Sequence, residues 1–326
     1  MKELSYFKAA AEAVSRALGD NDKIVVLGKG MTAGGKDGLF NEIFLKYGRS
    51  RVLDGTADDK SNIRIALGLA ATGALPLVVI DGESLYSCIE AIAVDACCAQ
   101  TAFNGQYSSS IVIWSDYGYA DGDTPAETFL SEGFFASLPN LTVYCPSCPE
   151  DACSMMATAL RFPYNGPTLV LTDRSMRETT AKVTEEDAAP VRPQAGSQVI
   201  KEGGDVTLVS YGAMMQASME AAYRASQAGC ECELIDLRCL NPIDTAPVIA
   251  SVKKTGRLAV AQAGWPRGGV GDILISAVMS SEAFDYMEKP VKIVSPPNKV
   301  IPYGDFAEKT VLPGWEEVYF AIISLI

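Results

Sequence analysis

The chain has 326 residues, of which 48% are hydrophobic and 21% charged, which excludes a disordered protein and is enough to bury the cores of two domains. A net charge of -13 argues against nucleic acid and anionic membrane as partners, because both are held mainly by Lys and Arg. The absence of any histidine excludes Ser-His-Asp hydrolysis and His-ligated metal sites, and leaves proton transfer to Asp, Glu, Lys, Tyr, Cys or a cofactor.

The opening stretch "MKELSYFKAAAEAVSRALGDND" has amphipathic helical spacing and lacks the apolar core of a signal peptide, so a cytoplasmic protein is expected. Apolar runs such as "GALPLVVI" are too short to span a bilayer. From residue 24 short β-branched runs alternate with helical stretches: "KIVVLG", a helix near "KDGLFNEIFLKYG", "RVLDG", and a helix from about Ser61. "PLVVID" is followed by a long helix, "SLYSCIEAIAVDACCAQTAF", and then come "SSIVIWSD", "LTVYCP", a helix from Glu150 to about Arg161, and "TLVLTD". This alternation predicts a mostly parallel sheet covered by helices.

Nine cysteines, an odd number, suit reduced thiols. Cys145 and Cys148 form a CxxC with Cys153 nearby, but no second CxxC or histidine completes a zinc site. "LTVYCPSCPEDACSMM" reads as small buried residues in a strand-to-helix turn, with a redox pair opening a helix as the alternative.

Residues 175–200 are polar, contain two prolines and keep no period, as an interdomain connection would. A second alternating series follows: "DVTLVSYG", helix "AMMQASMEAAYRASQAG", strand "CECELIDLR", helix "DTAPVIASVKKTG", strand "RLAVAQAG", helix "GVGDILISAVMSSEAF" and strand "VKIVSPP". The expected fold is α/β with two doubly wound domains, over residues 1–180 and 200–326, joined by a linker at 181–199.

Laid out in this way, the chain resembles, end to end, the β subunit of the E1 component of 2-oxo acid dehydrogenases, in the transketolase-like group of thiamine diphosphate enzymes. In the second half "DVTLVSYGAM", "IDLRCLNPID", "SVKKTGRLAV", "GWPRGGVGDI", "EAFDYMEKPVKIVSPP" and "IPYG" carry the likeness. In the first half it rests on "VVLGKG", "LGLAATGALPLVVI", "GQYSSSIVIW" and "LPNLTVYCPSCPEDA". The resemblance implies a pyrimidine-binding-type first domain and a transketolase C-terminal-type second domain. It further implies thiamine diphosphate shared with an α chain that holds the diphosphate through Mg2+, an α2β2 assembly, a small-molecule substrate, and an acyl-carrier or lipoyl domain as a possible further partner. No protein ligand to a metal is expected on this chain. "GKGMTAGGKDG" is glycine-rich but lacks the P-loop spacing and ending, and reads as a surface or interface loop.

Thiamine chemistry needs a carboxylic acid on the pyrimidine ring nitrogen. By resemblance the family has a glutamate there, and counting back from "LGLAATG" without gaps brings Asp59 onto it. An aspartate is one methylene shorter, and a misplacement of about 1 Å can cost about 100-fold in rate. Read without the family, Asp58 and Asp59 before an alanine-rich helix are capping residues. The sharper assignment makes Asp58 the cap and Asp59 the catalytic and cofactor-contacting acid.

The register also implies cofactor contacts at Ile80, at Ser84 where the family commonly has a phenylalanine, and at Tyr86 if the loop shifts, though Tyr86 also reads as a packed aromatic. In "YADGDTPAETFLSEGFFAS" Glu127 stands where an active-site histidine is expected and is the second catalytic candidate, while Ser137 replaces another. An anion there would repel a 2-oxo acid; equally, Asp116, Asp121, Asp123 and Glu127 read as a solvated acidic loop. Gln262 and Ala263 replace a histidine-glutamate pair, and Trp265 and Arg267 are expected at a subunit interface. Two functions follow from the resemblance: a β subunit that cleaves a C–C bond beside a carbonyl and transfers an acyl or ketol unit, or a catalytically silent subunit that stabilises an α partner.

Overall fold

The computed structural model describes residues 2–107, 109–119, 132–161, 166–187, 196–302, 304, 306 and 310–326. The chain divides into two compact units, Met1–Tyr117 with Leu138–Pro193, and Gly118–Ser137 with Gln194–Ile326.

In the first unit the strands are β1 (Lys2–Ser5), β2 (Ile24–Gly28), β3 (Val52–Asp54), β4 (Leu75–Ile80), β5 (Val112–Tyr117), β6 (Thr142–Tyr144), β7 (Thr168–Asp173) and β8 (Thr180–Val183). Six of them stand side by side in the order β6-β7-β5-β4-β2-β3, all parallel. The central strands β5 and β7 are buried at every position, which is why their apolar residues do not alternate with exposed polar ones. Helices Tyr6–Asp20, Asp59–Ala71 and Pro149–Arg161 flank the strands in sequence, and the first buries Tyr6, Phe7, Ala10, Val14 and Leu18.

Three expectations change here. The first residues are not helical: Lys2–Ser5 form β1, paired antiparallel with β8, and the helix starts at Tyr6. β8 lies inside the stretch read as an interdomain connection. A two-stranded ribbon with exposed faces needs no apolar alternation, so "KELS" and "TAKV" carry no strand signal. The long helix expected after β4 is broken into a 3-10 turn at Gly82–Ser84, a π-helical segment at Ala91–Ala96 and a short α-helix at Ala99–Ala102. The wider π register brings Ala91 and Ala96 onto one buried face, which α spacing would set far apart.

In the second unit the strands are β9 (Gln198–Lys201), β10 (Val206–Ser210), β11 (Cys232–Asp236), β12 (Cys239–Asn241), β13 (Leu258–Ala261) and β14 (Lys292–Val294). Five of these form a sheet of order β14-β13-β10-β11-β9, parallel except for the edge strand β9. Val206, Leu208, Leu234 and Ala259 pack with Met215 and Ala222 from helix Met214–Gln227, and with Val318 and Ile322 from helix Trp315–Ile323. Gly118–Ser137 belongs to this unit although it lies inside the expected first domain; within it, the Tyr211 hydroxyl donates to buried Glu132 Oε1 at 3.2 Å. Among the described residues no helix is long and apolar enough to cross a membrane.

Candidate functional site

Parallel α/β sheets present ligand sites at the carboxyl ends of their strands, and in the first unit those ends carry charge. β2 runs into Lys29, β4 into Asp81, β5 contains Asp116, and β7 ends at Asp173 followed by Arg174. β3 ends at Asp54, which accepts from the Thr32 backbone N–H at 2.8 Å and so ties down the loop after β2.

The next helix begins as a cap should. Asp58 is in extended conformation and accepts from the Ser61 N–H at 3.0 Å, an arrangement worth about 1 kcal/mol. Its neighbour Asp59 turns inward and is only 2% exposed. Asn62 braces this entry: its Oδ1 accepts from Thr56 N–H at 2.7 Å, and its Nδ2 donates to Thr56 O at 3.1 Å and to Asp59 Oδ1 at 3.3 Å. Asp59 Oδ2 accepts from the Asp81 N–H at 3.3 Å and pairs with Lys29 Nζ at 3.0 Å.

From this pair a chain of alternating charges runs along the strand ends. Lys29 Nζ also reaches Asp81 Oδ2 at 3.1 Å, Lys36 Nζ lies 3.8 Å from Asp81 Oδ1 and 2.6 Å from Asp116 Oδ2, and Arg174 Nε stands 3.8 Å from Asp116 Oδ2. Asp116 Oδ1 accepts from the Gly82 N–H at 2.9 Å. A side chain at 82 is impossible here, since a Cβ would fall 2.3 Å from the Asp116 carbonyl oxygen. Three carboxylates thus alternate with three cations. Burial pulls the Lys29 ammonium down, but hydrogen bonds and charge from Asp59 and Asp81 outweigh it, so the amine is held above its ordinary value. Asp173 behaves oppositely: burial pushes its carboxyl up to about 6 despite bonds from Ser175, and the charge of Asp116 adds to the rise.

The result is a cavity of about 210 Å3 lined by Lys29, Met31, Gly35, Lys36, Asp59, Val79 and Asp81. Of the candidates from the sequence, Asp59 is on its wall. Ile80 is buried and faces a neighbouring narrow space of about 20 Å3 shared with Lys36, Trp114 and Asp116. Ser84 sits in the 3-10 turn, its carbonyl accepting from Ser87 Oγ at 2.7 Å, and neither it nor half-buried Tyr86 lines the cavity. Glu127, with Asp121 and Asp123, lies outside the described residues.

One reading of the sequence is sharpened and one corrected. "GKGMTAGGKDG", read as a surface or interface loop, contributes Lys29, Met31, Gly35 and Lys36 to the wall of the cavity. Asp116 is not part of a solvated acidic loop; it is 4% exposed within β5. The signal that could have found both was positional, namely charged residues directly at the carboxyl ends of buried strands.

None of the cysteines of the CxxC stretch lines the cavity. Cys145 is buried with Tyr117 Oη 2.9 Å from its Sγ, Cys148 Sγ accepts from the Asp151 N–H at 3.4 Å, and burial pushes the Cys153 thiol up to about 11. Thiols held protonated in this way are inert packing groups. Among the described residues no three His, Cys, Asp or Glu side chains are grouped to hold a metal ion.

Comparison with known proteins gives the scaffold its family. The pyrimidine-binding domain of transketolase matches residues 2–178, and the transketolase C-terminal domain matches residues 196–318. The chain is 28% identical to the pyruvate dehydrogenase E1 component subunit beta of Rickettsia bellii over 322 residues, covering 98% of both. It is 27% identical over 331 residues to the acetoin:2,6-dichlorophenolindophenol oxidoreductase subunit beta of Cupriavidus necator, covering 97% of this chain and 96% of that one. A solved split-gene transketolase, described as an inactive beta4 tetramer, shares the fold with a TM-score of 0.79 at 21% identity, over 99% of this chain and 98% of that one. With the transketolase pyrimidine-binding and C-terminal domains matched in sequence along its length, the chain belongs to the transketolase-like family, and it is similar end to end to E1 β subunits.

Proposed function

We propose that this chain is the β-type half of a two-component thiamine diphosphate enzyme, in which an α-type chain holds the diphosphate and Mg2+ and Asp59 meets the aminopyrimidine. The observation that carries this reading is the buried Asp59 carboxylate on the wall of a strand-end cavity. The residues present fit a small heteroaromatic ring. Asp59 Oδ1 is held by the buried Asn62 amide, which does not line the cavity, so Oδ2, beside the lining residues Lys29 and Asp81, is the oxygen that would accept a ring N–H. Met31 and Val79 supply apolar lining, and a thioether packs well against an aromatic ring.

Thiamine diphosphate, when bound, supplies the electron sink for breaking a C–C bond next to a carbonyl. This chain's part is to orient the ring through Asp59, to keep that carboxyl out of water, and to hold Asp59 and Asp81 in place through Asn62 and the loop amides. An acyl or ketol unit from a small substrate is the transferred group, with a lipoyl or acyl carrier as one class of acceptor and α2β2 as the assembly. Glu127 is retained as a candidate for proton transfer at the substrate.

The second reading, a catalytically silent subunit that stabilises its α partner, is favoured by one observation: Asp59 is already ion-paired with Lys29. Calorimetric titration of the co-expressed αβ pair with thiamine diphosphate and Mg2+ separates the two. The first predicts saturable binding that Asp59→Ala abolishes while the assembly persists. Absence of binding at millimolar cofactor would overturn the first.

A further inference from the structure

Lys29 does something that the proposed function alone does not require. Its Nζ lies between two carboxylates, 3.0 Å from Asp59 Oδ2 and 3.1 Å from Asp81 Oδ2. The three groups differ in access: the side chain of Asp59 is 0% exposed, whereas those of Lys29 and Asp81 are 36% and 33% exposed. Asp59 and Lys29 both line the cavity, and the lysine ammonium is one of the groups that cover the Asp59 carboxylate.

We propose that Lys29 is a resident competitor for Asp59, a positioning residue that must surrender its ion pair with Asp59 and rest on Asp81 before Asp59 takes the pyrimidine nitrogen. This rests on the reading of Asp59 as the pyrimidine-facing acid. An ammonium has three donors, and both its carboxylate partners are already in contact, so leaving Asp59 costs Lys29 one pair and not two. Asp81 is a ready second seat because its other oxygen faces Lys36 at 3.8 Å. The paired state also lets the empty site fold without an uncompensated buried carboxylate, a state that strongly destabilises proteins. A ligand that binds only the state with Asp59 released sees its affinity reduced by the fraction of molecules in that state.

The competitor and its second seat predict opposite effects. With the αβ pair and saturating Mg2+, calorimetric titration with thiamine diphosphate should show Lys29→Met binding about tenfold tighter than the wild type. Lys29→Gln, which keeps a neutral donor at nearly the same length and guards against misfolding of the Met variant, should fall between. Asp81→Asn confines Lys29 to Asp59 and should weaken binding. A readout independent of the cofactor separates this from a merely structural role: Lys29→Met should lower the urea midpoint of the free chain while tightening cofactor binding, whereas a structural brace would lower both. Binding by both Lys29 variants no tighter than wild type overturns the proposal and leaves the role of Asp59 standing. Loss of all binding, in wild type and every variant, overturns the pyrimidine reading together with the competitor.

Discussion

Each unit has a glycine-rich loop leading from a buried parallel strand towards a helix, and the two loops are held by different means. After β2 the loop is tied by charge, with Lys29 and Lys36 reaching Asp59, Asp81 and Asp116, and all but Asp116 line an open cavity. After β13 the tie is a neutral amide. Gln262, 1% exposed, donates from Nε2 to the Trp265 carbonyl at 2.7 Å and accepts at Oε1 from the Gly271 N–H at 2.7 Å. There the space is filled: a Cβ at Gly269 would fall 2.4 Å from the Trp265 oxygen and 2.6 Å from Gln262 Nε2. A satisfied neutral network specifies one conformation. A charged one beside a cavity leaves groups that can exchange partners. Gln262, which the resemblance sets where the family often has a histidine, is thus part of a structural clamp, while the charged loop of the first unit borders a cavity.

The difference can be broken most strongly from the neutral side. Gln262→Ala strands a buried N–H and a carbonyl at once and should cost about 2–4 kcal/mol in urea unfolding, with little dependence on salt. A loss below about 1 kcal/mol would mean that the loop holds itself.

A smaller effect is expected from Asp173, at the end of the first unit's charged chain. Its folded-state carboxyl titrates near 6 against a usual 3.8, so between those values the folded protein keeps a proton that the unfolded chain has released. Stability contributed by this group is therefore present at low pH and is lost as pH rises from about 4 to about 6, by roughly 1–3 kcal/mol. Other carboxylates, such as Asp54 and Asp58, are lowered by their hydrogen bonds and act in the opposite sense. The measurement is accordingly the difference between wild type and Asp173→Asn across pH 4–7, which should shrink towards the acid end; a flat difference would remove Asp173 from the pH response.

The smallest change separates the two neighbouring acids. Asp58→Ala should cost about 1 kcal/mol, as an N-cap does, and leave cofactor affinity unchanged. A loss of affinity matching that of Asp59→Ala would end the division of labour between them.

Much of the fold was legible because parallel strands buried on both faces are long β-branched runs, as in "KIVVLG", "PLVVI" and "TLVLTD". The ribbon of β1 and β8 was not, since its residues are polar and its pairing joins positions far apart in the chain. The helix at Trp315–Ile323 went unread although its cap is local, with the Gly314 N–H donating to Glu317 Oε2 at 2.8 Å. Its apolar positions Val318 and Ile322 acquire meaning only against the second unit's core.

For the site, the sequence by itself determined that an acid stands at 59, one residue inside a helix whose cap is Asp58, because capping and register are local properties of the chain. It also determined that no histidine assists. Only the tertiary structure decided what that acid touches. Lys29 and Asp81 are 30 and 22 residues from Asp59 and meet it because β2 and β4 lie side by side and end together. An ion pair depends on distance in space and on the exclusion of water, and no spacing along one segment encodes either.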